Sequence, residues 1–170
     1  MPLCLNVGCH DIHFKDYVNI DLDPETKPDL LADATKLLDY FQAETVDHIY
    51  CGHFLEHFPV EQSLGILKDF YKLLKPYCSV HIVVPDYTKI EELGIEQKEQ
   101  ILLAGGTHKS LMDGPRIIGM LQEAGFPSYS IVPDLKGIGY CRFPEVTWQT
   151  GLIATKHPQV VFESPDDKVG

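Results

Sequence analysis

Two strand-length apolar runs with only residues 8–16 between them constrain this chain more than any other feature. In the first, Leu3, Leu5 and Val7 alternate with Cys4 and Asn6, neither strongly charged, as in a strand covered on both faces. Gly8 ends it where the backbone must turn sharply or let a ligand approach closely. In the second, Val18, Ile20 and Leu22 alternate with Asn19, Asp21 and Asp23, which puts a carboxylate at the tip of a neighbouring strand. A glycine turn after one parallel strand and an acid at the end of the next is how an open α/β sheet holds a ribose. The backbone passes close to the ligand and the carboxylate accepts from two neighbouring hydroxyls. Turn chemistry alone also puts Gly and Asp at strand ends, and Gly8-Cys9-His10 lacks the further glycines of G-x-G-x-x-G. A parallel crossover normally takes a dozen or more residues, so this one must be an unusually tight loop.

The later chain alternates strands and helices. Asp29-Leu-Leu-Ala-Asp33 is a short third strand that again ends in an acid, followed by Ala34. Residues 35–41 make one or two helical turns, with Leu37, Leu38 and Phe41 on one face. Residues 45–50 form a fourth strand, which Cys51, Gly52 and His53 leave. Pro59 opens a helix whose stripe is Leu64, Leu67, Phe70, Tyr71 and Leu74, and Pro76 stops it. Residues 78–84, almost wholly apolar, form a central fifth strand. The pattern then predicts a helix over 90–104 and another from Pro115, with Ile117, Ile118, Leu121 and Ala124 buried and Gly125 as its cap. Strands over 129–132 and 147–155 complete the chain. The expected fold is a mostly parallel seven-stranded α/β sheet with an antiparallel last strand and helices on both faces. Residues 1–157 form one domain, and 158–170 a poorly ordered tail.

Composition narrows the partners. The 170 residues carry a formal net charge of −11 and a pI near 5.0. Lys and Arg are scattered singly, so nucleic acid is not an expected partner. The five cysteines are odd in number with no C-x-x-C pair, which argues for free thiols in a reducing cytosol rather than disulfides or a cysteine zinc site. With no basic n-region and no long apolar run, neither a signal peptide nor a membrane span is expected, and the location is cytoplasmic.

The ordered set Leu5-Asn-Val-Gly-Cys9, Val18-Asn-Ile-Asp21, Asp29-Leu-Leu-Ala-Asp33, Val46-Asp-His-Ile-Tyr50, His53-Phe-Leu-Glu-His57, Leu73-Leu-Lys-Pro76, Val83-Val-Pro-Asp86 and Leu121-Gln-Glu-Ala-Gly-Phe126 resembles the class I S-adenosylmethionine-dependent methyltransferases. It is most similar to a compact group of them with a short first crossover. The resemblance implies a Rossmann-like sheet and S-adenosylmethionine as cofactor. It places Asn6, Gly8, Cys9 and His10 along the methionine part, Asp21 on the ribose with Leu22 against the adenine, and Asp33 on the adenine amine beside Ala34. Cys51, Gly52 and His53 would face the sulfonium and its methyl group. The chain departs from the family where His10 stands for a second glycine and Tyr77-Cys78 for the Gly-Gly after Lys-Pro.

Such a reaction is direct displacement, in which holding the groups in line contributes roughly 7–11 kcal/mol. A base is needed only for a protonated acceptor, and His53, His57 and His108 are the candidates. The acidic charge, and the absence of amino-methylating and cytosine-methylating signatures after strand four, favour a small-molecule acceptor, with residues 89–109 and 133–145 shaping its pocket. Its identity, the atom methylated and the oligomeric state are not readable. Two other readings remain: a non-catalytic cofactor-binding domain, and a zinc hydrolase using His53, Glu56 and His57 in the order H-x-x-E-H. Against zinc stand Pro59, which makes a continuous helix through both histidines doubtful, and the lack of a downstream third ligand. No metal is expected.

Overall fold

The computed structural model describes residues 1–132, 135 and 146–157. Its centre is a seven-stranded sheet: β1 (Cys4–Val7), β2 (Val18–Asp21), β3 (Leu30–Leu31), β4 (Val46–Gly52), β5 (Leu74–Pro85), β6 (Ser128–Val132) and β7 (Gln149–Thr155). The spatial order is β3-β2-β1-β4-β5-β7-β6. Only β7 runs against its neighbours, entering as a hairpin partner between β5 and β6. β1 pairs parallel with both β2 and β4, so the short crossover is real.

Among the described residues the α-helices are α1 (Val60–Leu73), α2 (Tyr87–Ile90), α3 (Ile95–Leu103) and α4 (Gly114–Ala124). Helix α1 buries Ile66, Leu67, Phe70 and Leu73, and α4 buries Ile117, Met120, Leu121 and Ala124. Both stripes join one core with Leu5, Val7, Ile20, Ile49, Cys51, Val80, Ile82 and Val84, which project from a single face of the sheet.

At this end of the sheet β1 and β2 are joined by a loop, and β2 and β3 by a 3-10 turn, Pro24–Thr26. The β1–β2 loop lays aromatic rings on the strands. Phe14 stands edge-on to Tyr17 at 5.6 Å and to Tyr50 at 5.0 Å, and Tyr50 to His81 at 5.8 Å. Tyr17 Oη shares a hydrogen bond with His48 Nδ1 at 3.1 Å.

Two amides anchor that loop from below. Asn6 and Asn19 lie side by side on β1 and β2, only 2% and 4% exposed. Asn6 Nδ2 donates to Ile12 O at 2.8 Å and to Asn19 Oδ1 at 2.9 Å. Asn19 Oδ1 also accepts from Phe14 N, and Asn19 Nδ2 donates to Asp29 Oδ2 at 2.6 Å. The backbone and side-chain hydrogen bonds from Asn19 hold the Asp29 carboxyl below its usual range.

Three boundaries differ from expectation. Pro76 lies inside β5, which begins directly at Leu74; the ring forces the residue before it out of the α region, so the helix ends upstream. Ile66 and Leu73 join the buried stripe, Leu64 is only partly buried against it, and Leu74 is fully buried as expected but as the first residue of β5. The helix expected over 90–104 is two, α2 and α3, with Gly94 as the N-cap of the second. The tail at 158–170 and most of the expected pocket segment 133–145, Cys141 included, lie outside the described residues. No described helix is long and apolar enough to cross a membrane.

Replacing Asn19 by Ala should destabilise the fold by about 3 kcal/mol, because it strands Asn6, Asp29 and the Phe14 backbone together; a denaturant titration measures it. Burial takes the imidazole of fully buried His81 down to about pH 4. Its unfolded value is about 6.5, so its contribution is fully present above that and lost as pH falls toward 4, by up to about 3 kcal/mol. His48 shifts the same way by burial. Denaturant midpoints at pH 7 and pH 4.5 should therefore converge in His81→Phe; an undiminished gap would place the acid sensitivity elsewhere.

Candidate functional site

A cleft of about 230 Å³ opens beyond the C-terminal ends of β1, β2 and β3. This is where parallel sheets place their ligands, because the strand-end loops converge there. Gly8 forms its floor with φ +68°, and both Gly8 N and Cys9 N donate to Ile20 O, which locks the turn to β2. A Cβ on Gly8 would strike the ring of Phe54.

Two carboxylates flank the floor. Asp21 Oδ2 accepts from His10 N at 2.8 Å and Oδ1 from Asp23 N at 3.0 Å. Each oxygen keeps a further lone pair for a ligand hydroxyl. Asp33 caps the 3-10 turn Ala34–Asp39: its Oδ1 accepts from Thr35 Oγ1 at 2.7 Å and Thr35 N at 2.9 Å, which holds the carboxyl below its usual range. Lys36 stands 3.9 Å from Oδ2. The remaining walls are apolar: Leu22, Ala32 and Ala34 on one side, Phe54 and Phe58 on the other, with Gln62 of α1 at the rim. The two phenylalanine rings meet edge to face at 4.9 Å. Apolar walls for a planar base and two acids for its hydroxyl and amino donors suit a nucleoside.

Gly8, Asp21, Leu22, Asp33 and Ala34 thus come together in one cleft. The other expected cofactor residues do not line it. Asn6 is occupied beneath the loop, and buried Cys9 directs Sγ to His10 O at 3.5 Å. His10 holds φ +47°, so it adopts the left-handed backbone that the family's second glycine would have supplied, with its side chain exposed against Asp11. Cys51 is buried in the core, where burial pushes its thiol well up, and Gly52 lies against the hydroxyl of Tyr50.

The three candidate histidines gather beyond the ends of β4, β5 and β7. His53 Nε2 shares a hydrogen bond with Gln149 Oε1 at 2.8 Å, and its ring stands edge-on to Trp148. His53 therefore turns away from the cleft wall formed by Phe54. His57 and His108 meet edge to face at 4.9 Å, and burial lowers the imidazole of His108. Sequence reading missed Phe54, Phe58, Ala32, Thr35 and Gln62. The signal that exposes Phe54 and Phe58 is a Phe-x-x-x-Phe spacing beginning two residues past a strand end.

No protein-family model and no curated protein matches the chain. Solved structures do. A SAM-dependent methyltransferase from Archaeoglobus fulgidus aligns with TM-score 0.71 and 16% identity over 91% of this chain and 86% of that one. An S-adenosylmethionine-dependent methyltransferase from Mesorhizobium loti aligns with TM-score 0.65 and 13% identity over 91% and 90%. Phosphoethanolamine N-methyltransferase 2 from Haemonchus contortus, in complex with S-adenosyl-L-methionine, gives TM-score 0.64 and 12% identity, and the chain spans 49% of its length. The chain has the class I methyltransferase fold.

Gly8→Ala should cost roughly 1–3 kcal/mol, through the positive φ and the collision with Phe54. Thermal unfolding reads the stability. Loss of nucleoside binding in variant protein that is still folded would tie the same turn to the cleft.

Proposed function

We propose that this chain is an S-adenosylmethionine-dependent methyltransferase acting on a small-molecule acceptor. The observation that carries this is the convergence of Gly8, Asp21 and Asp33 from three successive strand ends on one nucleoside-sized cleft, within a fold that methyltransferases share. The residues fit the nucleoside half of the cofactor. Asp21 accepts from the ribose hydroxyls while its bonds to His10 N and Asp23 N keep it oriented. Asp33 accepts from the adenine amine, and Leu22, Phe54 and Phe58 cover the base. When bound, the cofactor supplies a methyl group on a sulfonium, open to direct displacement.

The acceptor side falls to the strand ends that carry His53, His57 and His108. A neutral imidazole there can take the acceptor's proton at neutral pH, and burial favours the neutral form of His108. Cys4, Cys51 and Cys78 are free thiols, and the net charge of −11 disfavours a nucleic-acid acceptor.

One observation supports a second reading, nucleoside binding without transfer. The ring of Phe54 lies against Gly8, and none of Cys51, Gly52 and His53 lines the cleft. Calorimetry with S-adenosylmethionine and its demethylated product tests binding. Asp21→Ala removes two charge-assisted hydrogen bonds, each worth roughly 1.5–3 kcal/mol, and should weaken affinity at least about tenfold. Unchanged affinity would remove the site assignment. Tight binding with no methylated product from any metabolite screened would favour the second reading.

A further inference from the structure

The carboxylate of Glu56 is buried to 1% exposure, and neither of its oxygens has a hydrogen-bond partner among the described residues. A bare ionised carboxylate in that position is costly, and native chains meet the cost with a hydrogen-bonded partner or a bound cation. Imidazoles surround it without satisfying it: His53 Nδ1 lies 3.6 Å and His108 Nε2 4.0 Å from Oε1, too far for hydrogen bonds. Such spacings do suit ligands of one ion. With metal–ligand bonds of about 2.0–2.2 Å, two ligands of a tetrahedral ion stand roughly 3.4 Å apart.

We propose that Glu56, His57 and His108 form a divalent-cation site of the zinc class. Their ligand atoms lie within 4.8 Å of one another, and small side-chain rotations would close them onto one ion. Two imidazole nitrogens and one carboxylate oxygen favour zinc and its transition-metal neighbours over magnesium or calcium. A cavity of about 10 Å³, room for about one water or ion, borders Glu56 and His108. It is also lined by Ser110, whose buried Oγ has no hydrogen-bond partner among the described residues.

The surroundings hold the ligands as metal sites require. His57 Nδ1 faces Thr107 O at 3.3 Å; donating there leaves Nε2 as the ligand atom. Lys109 N and Ser110 N both donate to Glu56 O, at 2.8 and 3.2 Å, and this backbone clamp brings His108 to the carboxylate.

This differs from an H-x-x-E-H helix. The turn Leu55–His57 is 3-10 and His53 has φ +51°, so residues 53 and 57 do not share a helix face. The third ligand, absent from the helical register, comes instead from the segment after α3.

With a cation bound, His57 and His108 are ligands and any base for the acceptor falls to His53; cation binding itself does not depend on the methyltransferase reading. Chelator-treated full-length protein should bind one Zn²⁺ per chain in a competition titration, and Co²⁺ should give the visible bands of a low-coordinate nitrogen–oxygen site. His108→Ala and Glu56→Gln should each weaken Zn²⁺ binding at least tenfold and abolish those bands, while His10→Ala leaves both unchanged. Two variants on separate elements guard against loss by misfolding, which circular dichroism reports. No saturable Zn²⁺ binding, or binding unchanged in His108→Ala, would overturn the proposal. S-adenosylmethionine titrated with chelator present reports on the nucleoside cleft separately, so failure of one reading is distinguishable from failure of the other.

Discussion

The buried amide pair Asn6–Asn19 holds the loop that covers the β1–β2 end of the sheet. A parallel crossover without a helix has little to cover β1 and β2 with, and the backbone bonds within this one are Ile12 N to Cys9 O and Tyr17 N to Phe14 O, so most of its polar groups need other partners. Asn6 spends both amide hydrogens on Ile12 O and Asn19 Oδ1, and Asn19 Oδ1 takes a second proton from Phe14 N. The loop is thereby hydrogen-bonded to the sheet it covers, and its Phe14 and Tyr17 rings are delivered onto Tyr50 and His48. An apolar pair at positions 6 and 19 would pack as well but would leave the loop backbone unsatisfied. Polar residues at two core positions are thus required by the length of the connection.

The same economy shapes the cleft. Asp21 both faces the ligand space and fixes the turn, since His10 N and Asp23 N donate to its two oxygens. The left-handed backbone at His10 is strained for a residue with a Cβ, and the bond to Asp21 helps hold it. Preorganising the carboxylate in this way lowers what a ligand must order when it binds. Asp33 does the same on the other side by capping a 3-10 turn.

Legibility in the sequence followed the range of the forces involved. Strand alternation, the Gly8 turn, and the acids at 21 and 33 are local, and the structure places them where periodicity put them. Pro76 acts on its upstream neighbours, so the helix ended early and β5 began before the proline. The connections around β1, β2 and β3 are too short for helices, and their length was legible as the tight first crossover. Phe54 and Phe58 reach the cleft only because the chain turns sharply at His53, and that positive φ on a histidine has no sequence signature. His108 was legible as a titratable residue, but its partner Glu56 lies across the fold, and only tertiary structure brings the two together.

Residues 53–58 send side chains in three directions from one short turn. A 3-10 turn advances three residues per revolution, so side chains fan out instead of sharing one face. Phe54 and Phe58 go to the cleft wall, Leu55 to the core, and Glu56 and His57 to the cluster with His108. An α-helix over the same residues would have stacked 54 with 58 and 53 with 57, and both histidines would have joined one row. The turn separates them: His53 goes to Gln149 on β7, and His57 to Thr107. The cleft wall and the histidine cluster are therefore opposite sides of one rigid turn. Lys109 and Ser110 clamp it at Glu56 O, and Phe54 seals it against Gly8.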